Sequence, residues 1–209
     1  MCGRYVTTDA VSKTNHLAEN SSNIGDYKNY NAYPTCMLPI LLHENKKLII
    51  KNLIWGLVPK WADGKNDFKP LNNARVESVD EKPTFRSIVK KYRCVVIADG
   101  YYEWQNTDNG KQPFYIYRND GGPLYFGGLH QRNKDHEFVI LTQESEGAIK
   151  PIHHRMPLML NENQFDQFFD YEKSVSSLSR EQSVELSYHP VSRKVNSPKN
   201  NGIELINKV

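Results

Sequence analysis

Apolar runs of strand length, set between polar stretches rich in Asn, Pro and Gly, dominate the chain. Residues 48–58 (LIIKNLIWGLV) form the first long run, closed by Pro59, and read as a buried strand. Residues 94–104 (CVVIADGYYEW) form a second, with Gly100 at the middle, where a bulge or a close backbone approach is expected. Residues 113–117 and 124–129 flank Asn119-Asp120-Gly121-Gly122, a β-hairpin signal. Residues 138–142 and 184–188 add strands, and another is expected at the N-terminus. Helical spacing is rarer. Asp9 can cap a helix running to about Asn20, with Val11, Leu17 and Ala18 on its apolar side. Residues 84–92 fit a short basic helix. Residues 162–180 give the clearest helix, with Phe165, Phe168, Phe169 and Leu178 toward a core. Residues 21–39 and 60–72 read as long loops, which inside a compact domain are usually functional or mobile. Several strands, few helices and no regular β-α alternation predict an α+β fold. The expected architecture is a single domain over residues 1–209, built on a curved, largely antiparallel, barrel-like sheet with a few flanking helices.

Composition narrows the function classes. Of 209 residues, 38% are apolar and 11% aromatic, enough for a real core. No run of eighteen apolar residues and no charged-then-apolar leader is present, so the chain reads as neither membrane-spanning nor secreted. A cytoplasmic monomer is expected, nucleoid-associated if the host is bacterial. The three cysteines, Cys2, Cys36 and Cys94, lie far apart and suit a reducing compartment. No paired C-x-x-C or H-x-x-x-H spacing supports a metal site, and no cofactor is expected. The net charge of +3 is uneven: between Lys46 and Arg93 twelve basic residues face five acidic ones, a local +7 that leaves −4 elsewhere. Trp55, Trp61, Phe68, Phe85 and Tyr92 are interleaved with these charges, as a single-stranded nucleic-acid binder requires. The same run also fits an ordinary solvated face.

The candidate chemistry starts at Met1-Cys2-Gly3-Arg4-Tyr5. Methionine aminopeptidases cut before small residues, which would leave Cys2 with an α-amine and a thiol on one carbon skeleton. Such a 1,2-aminothiol condenses with an aldehyde to an imine, and its thiolate then closes a thiazolidine ring. Both groups titrate near neutral pH, at about 7.7–8.0 and about 8.5. By position alone, Cys2 fits a frayed terminus equally well. Four further clusters carry polar chemistry: residues 71–77, 98–104, 152–157 and 189–193. Because side chains alternate along a strand, Asp99, Tyr101 and Glu103 share one face, and a carboxylate among aromatics can shuttle protons. A buried, hydrogen-bonded acid is the plainer alternative. His153 and His154 beside Arg155, taken singly, are each more often structural than catalytic.

Together these stretches resemble the SOS-response-associated peptidase (SRAP) family of abasic-site processing proteins. The resemblance runs through MCGRY (1–5), YNAYP (30–34), WGLVPKW (55–61), NARVES (73–78), ADGYYEW (98–104), IHHRMP (152–157) and HPVSRKV (189–195). It implies that mature Cys2 attacks the ring-opened aldehyde of an abasic site in single-stranded DNA, forming a thiazolidine cross-link that shields the lesion. Asn73 would orient the N-terminus, Glu103 transfer protons and His153 act as acid/base at the sugar. Lyase cleavage and autoproteolysis of Met1 are possible companions. Arg4, Arg75 and Arg155 would hold phosphates, while Pro34 and Trp61 would wedge or stack. Ala62 stands where relatives often have a second tryptophan, and Pro83 where some are basic, so Lys82 or Arg86 would supply that contact. Two other classes compete. One is a cysteine hydrolase using Cys2, Glu103 and His153, and the other a zinc or binding module using Cys36, Cys94 and histidines.

Overall fold

The computed structural model describes residues 2–19, 27–65, 67–131, 136–178 and 184–209. Their organising feature is a ring of five strands. β3 (Met37–Glu44), β4 (Lys47–Trp55), β6 (Arg93–Ala98), β9 (Leu124–Gln131) and β10 (Glu137–Glu144) pair in the circular order β10-β4-β3-β6-β9-β10. Only the β10–β4 contact in this ring is parallel. Closure removes the edges that an open sheet would expose. A second, fully antiparallel sheet of five strands runs β13-β8-β7-β1-β2, from β13 (Leu186–Pro190), β8 (Gly110–Arg118), β7 (Gly100–Thr107), β1 (Arg4–Thr7) and β2 (Asn29–Ala32). The predicted α+β class with a curved, mostly antiparallel sheet is what forms.

Strand alternation divides the core. Leu38, Ile40, Trp55, Val96, Phe126 and Phe138 pack with Cys2, Tyr5 and Tyr101. Leu41, Val95, Ile97, Tyr125, Val139 and Leu141 pack instead with residues of α1 (Asp9–Lys13), α2 (Phe165–Phe169) and the 79–92 turns. The Tyr5 ring lies 5.2 Å from Trp55 and 6.2 Å from Phe126, joining the N-terminal strand to the ring of strands.

Several expectations are corrected. The 94–104 run is two strands in two sheets, β6 and β7, with the chain turning at Asp99. Gly100 permits this turn, because a Cβ there would sit 2.5 Å from the Tyr115 ring and 2.6 Å from Ile116 O. The 119–122 turn forms, but β8 and β9 pair with different sheets, so it is a crossover and not a hairpin. The hairpins lie elsewhere, between β7 and β8 and between β3 and β4. Asn45 and Lys46 turn the latter with φ of 51° and 64°. The expected 21–39 loop is strand at Asn29–Ala32 and again from Met37, and residues 21–26 lie outside the described residues. Asp99, not Asp9, caps α1, accepting from Thr8 N at 2.5 Å and Ala10 N at 2.8 Å; α1 ends at Lys13, and Asn20 lies outside the described residues. The 162–180 helix shortens to α2 within a series of tight turns. Buried Arg93 takes the carbonyls of Phe168 (2.8 Å), Asp170 (3.0 Å) and Lys173 (2.5 Å), and residues 179–180 lie outside the described set. Residues 84–92 form consecutive turns. Among the described residues no helix is long and apolar enough to cross a membrane.

Candidate active site

β10 leaves the ring at its C-terminal half and becomes a platform. β5 (Asn73–Arg75) lies parallel on one edge, with Ile140 beside Asn73 and Thr142 beside Arg75. β11 (Arg155–Pro157) lies antiparallel on the other, with Glu144 beside Arg155. Two motif stretches far apart in sequence are thereby laid across one strand. Arg155 spans it: its guanidinium grips Glu77 in a fork at 2.8 and 2.9 Å and donates to Thr142 O at 2.5 Å. Burial acts most strongly and raises the Glu77 pKa, but the hydrogen bonds and charge of Arg155, together with backbone hydrogen bonds, more than offset it and hold the carboxyl below its ordinary range. His153 Nδ1 lies 3.0 Å from the Arg155 backbone N–H and 3.1 Å from the Arg155 carbonyl oxygen, so one backbone residue holds the ring whichever nitrogen carries the proton. Burial pushes the His153 pKa below its usual value.

The five-stranded sheet supplies the facing wall. β1 lies against β7 with Arg4 beside Tyr102 and Tyr5 beside Tyr101. Cys2, directly before β1, is fully buried, and Asn73 Nδ2 donates to its carbonyl at 2.9 Å. Burial and then the Glu103 charge push the Cys2 thiol far above its ordinary pKa. Glu103 is 2% exposed, and burial lifts its pKa to about 7. Gln105 Nε2, two residues along β7, donates to Pro151 O at 3.0 Å and ties this wall to the turn bearing His153. Asp99 stands apart from this group. It caps α1, and its place at the inter-sheet corner takes it off the Tyr101–Glu103 face.

The other candidates surround this centre. Arg4 donates to Asn31 Oδ1 (2.8 Å), Val195 O (3.3 Å) and Asn196 O (3.2 Å), with its guanidinium 5.4 Å from the Tyr33 ring centre. Half-buried Pro34 precedes Thr35, whose φ of 85° is strained for a β-branched residue. Trp61 is 57% exposed, edge-on to Phe68 at 5.2 Å with Lys65 5.4 Å over its ring, while Ala62 behind it is buried. Exposed Arg75 lines a cleft of about 420 Å³ with Glu144, Ser145, Lys150, His154 and Arg155. A second cleft of about 310 Å³ includes Lys60, Trp61, Thr84, Ser87, Lys91 and Tyr92. Arg86 is exposed and lines neither cleft. Among the described residues no group of His, Cys, Asp or Glu could hold a metal ion; Cys94 is ring-strand core.

With this geometry in place, comparison with known proteins is decisive: the model of the SOS response associated peptidase (SRAP) family matches residues 1–198. The chain belongs to that family. It is 32% identical, over the full length of both chains, to the Escherichia coli abasic site processing protein YedK. Abasic site processing protein YoaM of Bacillus subtilis is 31% identical over 99% of this chain and 97% of its own. Abasic site processing protein HMCES of Xenopus tropicalis is 28% identical over 82% of this chain and 63% of its own. A crystal structure of a Bacteroides thetaiotaomicron protein superposes with a TM-score of 0.77 at 21% identity, covering both chains completely, a likeness of fold. Within this SRAP domain, sequence reasoning overlooked Glu77 and Asn31. Glu77 lies two residues beyond Arg75 in a stretch that also holds Asp80 and Glu81, so nothing local set it apart. Asn31 is buried and holds Arg4 while donating to Val195 O, Ser197 O and Asn200 O, and nothing local marks it.

Proposed function

We propose that this SRAP protein processes abasic sites in DNA, and that after loss of Met1 it captures the ring-opened sugar of a single strand as a thiazolidine on Cys2. The observation that supports this reading is a Cys2 carbonyl held by Asn73 together with a buried Glu103 whose pKa burial lifts to about 7 and whose charge bears on Cys2. Imine formation needs an amine freed of its proton, and a carboxylate with that pKa can accept and return one at neutral pH. His153, half-buried on the turn tied to this wall, suits proton exchange with the sugar oxygen as the hemiacetal opens. The amine attacks first and water leaves; the thiol then adds to the iminium carbon. Elimination from the iminium instead of ring closure would nick the strand, giving lyase activity.

For the strand itself, Arg75 and Lys150 in the cleft beside His153 offer phosphate contacts, and Arg4 flanks Cys2. Trp61 offers an exposed ring for a base. Arg155 is spent on Glu77, so its part is to brace His153, with phosphate contact a lesser role. A cysteine hydrolase using Cys2, Glu103 and His153 is the weaker reading, because such a nucleophile needs a lowered thiol pKa and burial here raises it. The test is intact mass after incubation with a single-stranded oligonucleotide holding one abasic site. The expected product is protein minus Met1 joined to DNA with loss of one water. An unmodified protein, or a cleaved test peptide without adduct, would count against the reading.

A further inference from the structure

Tyr101 has a buried hydroxyl that the reaction described so far does not use. It follows Gly100 on β7 and projects on the same face as Glu103, two residues on, into the cluster that contains Cys2. Its ring packs edge-on against Phe126 at 5.8 Å, and its strand neighbour across β1 is Tyr5. The residue is 0% exposed, and its hydroxyl has no hydrogen-bond partner among the described residues. A phenylalanine would keep the Phe126 contact, so the packing does not require the oxygen. An unpartnered buried hydroxyl destabilises the free protein, and buried polar groups of this kind call for a specific reason. Burial, then the charges of Glu103 and Cys2, push its pKa well above that of an ordinary phenol, so it remains a proton-bearing donor throughout the working range.

We propose that Tyr101 is a further catalytic residue, whose hydroxyl donates a hydrogen bond to the Cys2 sulfur as the thiazolidine ring closes. The inference rests on the aminothiol reading and deepens it. In this step the thiol proton passes to the Glu103 carboxylate, and a sulfur lone pair forms the S–C bond to the iminium carbon. The C=N π pair returns to nitrogen, leaving a neutral ring and a protonated Glu103. Sulfur carries negative charge for part of that path in a site that otherwise opposes it. Tyr101 supplies the stabilisation that burial removes. The hydroxyl of Tyr5 is likewise unpartnered and Cys2 bears on it too, but Glu103, the proton acceptor of this step, bears on Tyr101 and not on Tyr5.

The test compares the parent, Tyr101→Phe and Tyr5→Phe, each confirmed free of Met1, on an abasic single-stranded oligonucleotide. Borohydride trapping reads imine formation, and adduct surviving heat reads ring closure. Tyr101→Phe is expected to form imine at the parent rate, to melt at the same temperature or higher, and to close the ring about 10- to 100-fold more slowly, the scale of a hydrogen bond to a charged group. Tyr5→Phe should close the ring at the parent rate. Parental ring closure by Tyr101→Phe, equal slowing of both steps, or a defect confined to Tyr5→Phe would overturn the proposal. A parent that forms neither imine nor stable adduct would instead contradict the aminothiol reading on which the proposal stands.

Discussion

Burial lifts Glu103 to about 7, whereas in an unfolded chain a glutamate titrates near 4.3. Between those values the folded state binds the extra proton, so this residue's contribution to stability falls as pH rises through the window and levels above it. Glu103→Gln should lack that decline, which chemical denaturation at pH 4, 6 and 8 would show. The same substitution should slow adduct formation by up to about 10²–10⁴-fold and remove the rise in rate through pH 7 that a carboxylate base gives the parent. A parental rate and pH profile in the variant would strip Glu103 of its role. At this scale the sequence was informative wherever residue type dictates chemistry: Cys2, Asn73 and Glu103 do converge, and the turn bearing His153 is tied to the same wall through Gln105. It was silent where contacts decide. Asp99 and Glu103 looked alike as acids on one apolar run, yet one caps α1 and the other faces Cys2.

β10 shows how an element turns barrel closure into a site, because the strand that seals the ring continues outward to carry β5 and β11. Arg75, on β5 and facing solvent, is therefore free to meet a phosphate, whereas Arg155 on β11 is held by Glu77. Arg75→Ala should weaken single-strand binding equally for all sequences and flatten the plot of log affinity against log salt by about 0.7, one phosphate contact on a single strand. Fluorescence anisotropy over a salt series measures it, and an unchanged slope would remove Arg75 from the phosphate-binding surface. Strand content was legible in the apolar runs. Helix length was not, since the periodicity of Phe165, Phe168 and Phe169 persists while Arg93 captures the carbonyls beyond them. The β8–β9 pairing also failed, because a turn signal reports local geometry and not which sheet each strand joins.

At the scale of the whole molecule, the C-terminal segment secures the sheet that bears Cys2. Leu205 is fully buried with Val6, Tyr102, Tyr115, Val191 and Val195, and Asn31 ties the same segment to Arg4. Leu205→Ala should cost about 2–5 kcal/mol in a urea unfolding experiment, and a loss below about 1 would show that the segment is not part of the cooperative core. That brace ends where Arg4 and Cys2 begin, so the architecture converges on the N-terminus. The aminothiol reading requires the α-amine and the thiol on one residue. A form that retains Met1, or carries one residue ahead of Cys2, keeps the thiol and moves the amine away. Incubated with abasic single-stranded DNA, mature protein is predicted to give an adduct that survives heat and the extended form to give none. A heat-stable adduct from the extended protein would contradict the account.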